Sequence, residues 1–275
     1  MTALLEARRL SVEFGTQLAN HAAMVLHAQR RLGGTDADAR RFMDAYVAST
    51  GLAPQKPSPG EVTRATWASH LGDRDFEAAH RAFFRAELVR AGSGQALARE
   101  WLPRLLPGMA ASALHALMRL AYAVDAREDA EIAEALGYWS ACYLSLGEGS
   151  GAPPVTADPV QVLLRVAAEP SLAKVKPNID LLWHFMRDTA ALPAFAPIHD
   201  MLEIRPDTLD RIADASLRVF ARTGEFCALH AVTGTHWIRL ILPLLGTADQ
   251  HRAIRFFWQA RIRGIDRPFG IRLGR

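Results

Sequence analysis

Thr16-Gln17-Leu18-Ala19-Asn20-His21-Ala22-Ala23-Met24-Val25-Leu26-His27-Ala28-Gln29-Arg30-Arg31-Leu32, followed by Gly33-Gly34, decides the fold class. Leu18, Ala22, Val25, Leu26 and Gln29 recur at three- and four-residue intervals and fall on one helical face; the glycine pair supplies the stop. The spacing predicts a helix over 16–32. A second helix is predicted after Thr35, with Asp36 near its N-cap, carrying Phe42, Ala45, Tyr46 and Val47 to a stop at Gly51.

The same intervals predict helices over 73–90, 94–106, 109–124, 128–146, 159–168, 178–190, 206–222, 225–242 and 248–263. β-Branched residues rarely alternate with polar ones, so strand signals are nearly absent. The chain therefore reads as all-α, a compact multi-helix bundle forming a single domain over 1–275. Two stretches break the periodicity. Residues 52–62 contain Pro54-Gln55-Lys56-Pro57-Ser58-Pro59-Gly60, whose prolines remove donors and disfavour helix before each ring. Residues 147–158 are rich in glycine and proline and read as a surface loop rather than a boundary.

With 275 residues, 50% hydrophobic and 22% charged, the chain can bury a core without a disulfide or structural metal. Cys142 and Cys227 have no CxxC spacing and lie in apolar helical contexts, which points to a reducing, cytoplasmic setting. Residues 1–13 carry Glu6, Arg8, Arg9 and Glu13 and have no signal-peptide core, and no stretch of roughly 18 apolar residues occurs, so no membrane association is expected. The net charge of +3 is spread along the chain except near the C-terminus. There Arg252, Arg255, Arg261, Arg263, Arg267, Arg272 and Arg275 read as a solvated helix face followed by a basic tail over 264–275, not as a nucleic-acid surface. Glu128, Glu131 and Glu134 read as a second solvated face.

Histidines carry the chemical signal. His115 lies in Ala111-Ser112-Ala113-Leu114-His115-Ala116-Leu117, where nearly every neighbour is small or apolar. His21 follows Asn20 among small residues that allow close approach. An imidazole placed in this way is either hydrogen-bonded core or a metal ligand. His27 has rotated off the His21 face and reads as partly exposed. His230 and His236 flank Val232-Thr233-Gly234-Thr235; their spacing of six leaves them about 120° apart on a regular helix, so both face one point only if the helix bulges there. His184, between Trp183 and Phe185, reads as a buried structural imidazole held in reserve. His70, His80, His199 and His251 receive no role. The recognised zinc, di-iron, dinucleotide, Walker A and nucleophile-elbow motifs are missing.

Asn20-His21 with Met24, Leu105-Leu106-Pro107-Gly108-Met109-Ala110 leading to Leu114-His115, Arg119-Leu120-Ala121-Tyr122-Ala123, Glu134-Ala135-Leu136-Gly137-Tyr138-Trp139 and the His230–His236 block together resemble the questin oxidase-like family. The resemblance implies an all-helical oxygenase that opens or inserts oxygen into anthraquinone-type aromatic polyketides, one branch using non-haem iron held by histidines and a carboxylated lysine. His21, His115, His230 and His236 match the family's histidine-bearing motifs and are the expected metal ligands, with His115 and His230 as candidate catalytic bases. Lys56, Lys174 and Lys176 are the only lysines, and none lies in a matched motif. An all-imidazole site suits iron, copper or zinc. Tyr122, Tyr138, Trp139 and Trp183 are candidate walls for a small aromatic substrate that meets dioxygen, although each also suits ordinary core packing. Two other readings stand beside the iron oxygenase: a cofactor-independent oxygenase, and an inactive helical ligand-binding or interaction protein.

Overall fold

The computed structural model describes residues 2–265 apart from Pro177. The expected tail over 264–275 lies outside the described residues from 266 onward. All-α is the class observed. Fourteen α-helices occur among the described residues, with one sheet of two two-residue strands. The chain divides into two compact units, Met1–Leu105 with His115–Tyr143, and Leu106–Leu114 with Leu144 onward.

The first unit holds α1 (Thr2–Ala7), the hairpin β1 (Glu13–Phe14) and β2 (Leu18–Ala19), α2 (Ala22–Arg31), α3 (Asp36–Thr50), α4 (Glu77–Ala91), α5 (Gly94–Leu105), α6 (His115–Ala126) and α7 (Asp129–Ala141). The helix expected over 16–32 starts late because Gly15 (φ 57°) and Gln17 (φ 76°) turn the chain back into β2. The helix α3 starts at Thr35, whose hydroxyl caps the Asp38 amide while the Asp38 carboxylate accepts from the Thr35 amide, and it stops at left-handed Gly51.

Helix α7 forms the centre of this unit, packed by α4, α5 and α6 and buried from Glu131 to Ala141. Tyr138 and Trp139 are fully buried, each contributing roughly 1.5–3 kcal/mol. Gly137 lets α4 approach so closely that a Cβ there would meet Arg81 Cα at 2.8 Å. The acidic face expected to be solvated is not. Glu131 and Glu134 are buried, because Arg119 Nε and Arg8 Nε reach Glu131 at 2.7 and 2.8 Å while Arg81 and Arg85 bond Glu134. Burial favours the neutral Glu131 acid, but Arg119 and Arg8 outweigh it and hold the carboxyl below its ordinary value. His27 is also buried rather than partly exposed, since α2 turns it to the same side as Ala23 and Met24.

The second unit holds α8 (Pro159–Ala167), α9 (Pro170–Ala173), α10 (Leu182–Ala190), α11 (Ile198–Met201), α12 (Thr208–Thr223), α13 (Phe226–Ile241) and α14 (Thr247–Ile265). Helices α12, α13 and α14 pack on one another, and Gly234 seats the Phe257 ring against α13. The 147–158 loop is tied down by Asp200, whose carboxylate accepts from the amides of Ser150 (2.7 Å) and Gly151 (2.9 Å). Among the described residues no helix is long and apolar enough to cross a membrane.

Candidate functional site

His21 is positioned by the hairpin. Asn20 donates from its side chain to Ser11 O (2.8 Å) and accepts from the Ala22 amide (2.9 Å), which fixes the residue between, His21, at the N-cap of α2. The His21 amide donates to the Tyr46 hydroxyl at 2.9 Å. Its Nδ1 lies 2.8 Å from Ala19 O. A carbonyl only accepts, so Nδ1 carries the proton and Nε2 is the basic nitrogen.

His115 is positioned by a strained turn. The helix expected over 109–124 begins only at His115, because Ser112 (φ 47°), Ala113 (φ 54°) and Leu114 (φ 71°) are all left-handed. Three successive non-glycine residues in that region cost about 1–2 kcal/mol each. Strain of this kind persists where the surroundings impose it, and it concentrates at functional sites. The turn delivers His115 onto the first position of α6. There its ring meets His21 at 4.8 Å between centroids and 89° between planes. The two half-buried imidazoles thus form one centre within the first unit.

His230 and His236 are placed differently. Helix α13 runs without a bulge through Thr233-Gly234-Thr235, so the two rings stay on different faces. His236 is exposed and His230 half-buried, with its Nδ1 2.9 Å from Phe226 O. Burial favours the neutral ring and lowers the His230 imidazole below its ordinary value, against a smaller opposing effect from the Phe226 carbonyl. Among the described residues no group of three or more His, Cys, Asp or Glu side chains is placed to hold a metal ion. A catalytic metal usually takes three protein donors, and the imidazole pair supplies two. The residues shown do not by themselves fit a protein-held iron.

Of the aromatic residues, Tyr138 and Trp139 belong to the α7 core and Tyr122 is half-buried on α6. The Trp183 ring lies 3.7 Å from that of His184, tilted by 35°; His184 is buried as expected, and Trp183 carries the Arg187 guanidinium over its face. A cleft of about 610 Å³ in the first unit was missed from sequence. Val12, Phe14, Pro57, Glu13, Arg74 and Cys142 line it, and neither His21 nor His115 does. Its size suits a drug-sized ligand. Arg74 is paired with Glu13 at 2.7 Å, and burial holds the Cys142 thiol well above its ordinary range, leaving it protonated. The proline-rich 54–60 stretch signalled a loop, but nothing in it indicated that the loop walls a cleft.

A family model described as questin oxidase-like matches residues 18–263. The chain belongs to the questin oxidase-like family. The matched span takes in His21, His115, His230 and His236 of this questin oxidase-like chain, together with the left-handed turn before His115. Membership of the family suggests an oxygenase of aromatic polyketides. Comparison with curated proteins returns no match.

Proposed function

We propose that this questin oxidase-like chain is an oxygenase of phenol-bearing aromatic small molecules, with the His21–His115 pair as its reacting centre. The observation that carries this reading is the edge-to-face contact of those two imidazoles, delivered by a hairpin and a strained turn from distant parts of the sequence. Carbonyl anchoring fixes the tautomer of His21. An imidazole pair held in this way accepts a phenolic proton as a general base, and the resulting phenolate is the electron-rich species that meets dioxygen. The neutral imidazole of His230 is a second candidate base in the other unit.

Iron enters this proposal on family likeness alone. Proton transfer to the imidazole pair does not depend on it. The test is oxygen uptake with a hydroxyanthraquinone, with metal content measured on the same protein. Uptake is expected to fall roughly 10²–10⁴-fold in His21→Ala and His115→Ala, the range for loss of a general base. Exposed His236→Ala should keep both activity and metal content. Undiminished uptake in the folded His21→Ala/His115→Ala double variant refutes the assignment.

The cleft favours a second reading, a ligand-binding protein without turnover, because its lining contains neither histidine of the pair. Saturable hydroxyanthraquinone binding with no oxygen uptake, in protein carrying or lacking iron, would select it.

A further inference from the structure

Arg261 overturns its expected place on a solvated helix face. It is 1% exposed on α14, and burial with no opposing charge pushes its guanidinium down to about 9. Its Nη2 donates to Ser216 Oγ at 2.7 Å, and that hydroxyl donates in turn to Ile212 O. Its Nε and Nη1 have no partner among the described residues, and no Asp or Glu there acts on it. Beneath it lies Trp258, fully buried, with its ring centroid 4.8 Å from the guanidinium carbon. The Trp258 Nε1 has no partner among the described residues either. Two neighbouring buried side chains therefore present three donor nitrogens without an acceptor among the described residues.

The contrast with the first unit defines what is missing. Arg81 and Arg119 are just as buried, and each has a glutamate at hydrogen-bond distance. A buried cation without a counter-ion is strongly disfavoured, and an orphaned buried N–H costs about 1–3 kcal/mol even when neutral. The chemistry that satisfies Arg261 is a small negative acceptor beside Ser216 and Trp258, both fully buried.

We propose that the second unit contains a buried anion site in which Arg261, seated on Trp258 and Ser216, binds a small monovalent anion of halide or formate size. The site is independent of the oxygenase reading and lies in a different unit from the imidazole pair.

The test uses the full chain in chloride-free buffer at fixed ionic strength, with a bulky sulfonate as the control anion. Sodium bromide or sodium formate should raise the melting temperature saturably, by roughly 5–10 °C at a hundredfold excess over the dissociation constant. Arg261→Met, which removes the charge and keeps an apolar stem, should lose that response and melt no lower than the anion-free parent. Crystals of the parent soaked in bromide give a readout that needs no variant, an anomalous peak in hydrogen-bonding contact with Arg261. A parent indifferent to both anions overturns the proposal. So does a response retained in Arg261→Met, or a bromide-soaked crystal with ordered bromide elsewhere and none at Arg261.

Discussion

The left-handed turn before His115 makes a stability prediction whose sign runs against ordinary expectation. Ala113 and Ala121 are both buried alanines, 3% and 0% exposed, so glycine at either position gives up one buried methyl, about 0.8 kcal/mol. The backbone contributions then differ in sign. Ala113 sits at φ 54°, where glycine relieves about 1–2 kcal/mol. Ala121 lies inside α6, where glycine costs about 1 kcal/mol. Ala113→Gly should therefore change stability by about zero to 1 kcal/mol in the favourable direction, and Ala121→Gly should lose about 2 kcal/mol. Urea unfolding followed by both circular dichroism and tryptophan fluorescence measures the gap, and coincident curves license its conversion to free energy. Equal losses in the two variants would falsify the claim that the 112–114 turn stores strain. If the strain serves to aim His115, relaxing the turn should also lower oxygen uptake while leaving the fold intact.

Three further outcomes are expected. Glu131→Gln leaves Arg119 buried beside a neutral partner and should cost about 3–5 kcal/mol near neutral pH. Because the native carboxyl titrates below its ordinary value of 4.5, the parent holds this stability above that pH and loses it as pH falls through the native pKa, so a stability–pH series on Glu131→Gln should have a flatter acid limb. Gly137→Ala, a favourable change by helix propensity, should instead destabilise by about 1–3 kcal/mol because its methyl meets the Arg81 backbone on α4; chemical denaturation reads the sign. Asp200→Ala removes the acceptor of the Ser150 and Gly151 amides and should speed limited proteolysis within 147–158 with little change in the helical circular dichroism signal.

Eleven of the fourteen helices and most of their ends were legible because periodicity and terminators are local signals, whereas the short α1, α9 and α11 were not expected. Thr35, Gly51 and the 54–60 prolines act through neighbouring backbone, and the structure places the first two as caps of α3 and the prolines in the loop after it. The misreadings occurred where distant groups override local preference. Leu18 and Ala19 fit a helical face, yet two left-handed residues and the Val12 carbonyl, which accepts from the Asn20 amide at 2.9 Å, draw them into a hairpin. Residues 109–114 have helical composition, and no local rule would place three alanine-, serine- and leucine-type residues at positive φ. The pairing of His21 with His115 was suggested by family motifs rather than by spacing, since nothing along the chain ties positions so far apart. The cleft escaped detection for the same reason, its wall being assembled from the hairpin, the proline loop and the start of α4.

Charged residues make the same point with opposite outcomes. Glu131, Glu134 and Arg261 each sit at positions that a helical wheel assigns to solvent or leaves ambiguous, and all three are buried. For the two glutamates, arginines from α4, α6 and the segment after α1 complete the charge, so the network is structural and its removal is a stability event. For Arg261 the described residues supply a hydroxyl and an indole face but no negative charge. The difference is visible only once partners distant in sequence are placed in space. A fully paired buried charge explains itself, whereas one left with donors alone implies a ligand, which is why the arginine with no carboxylate says more about binding than the many arginines that have one.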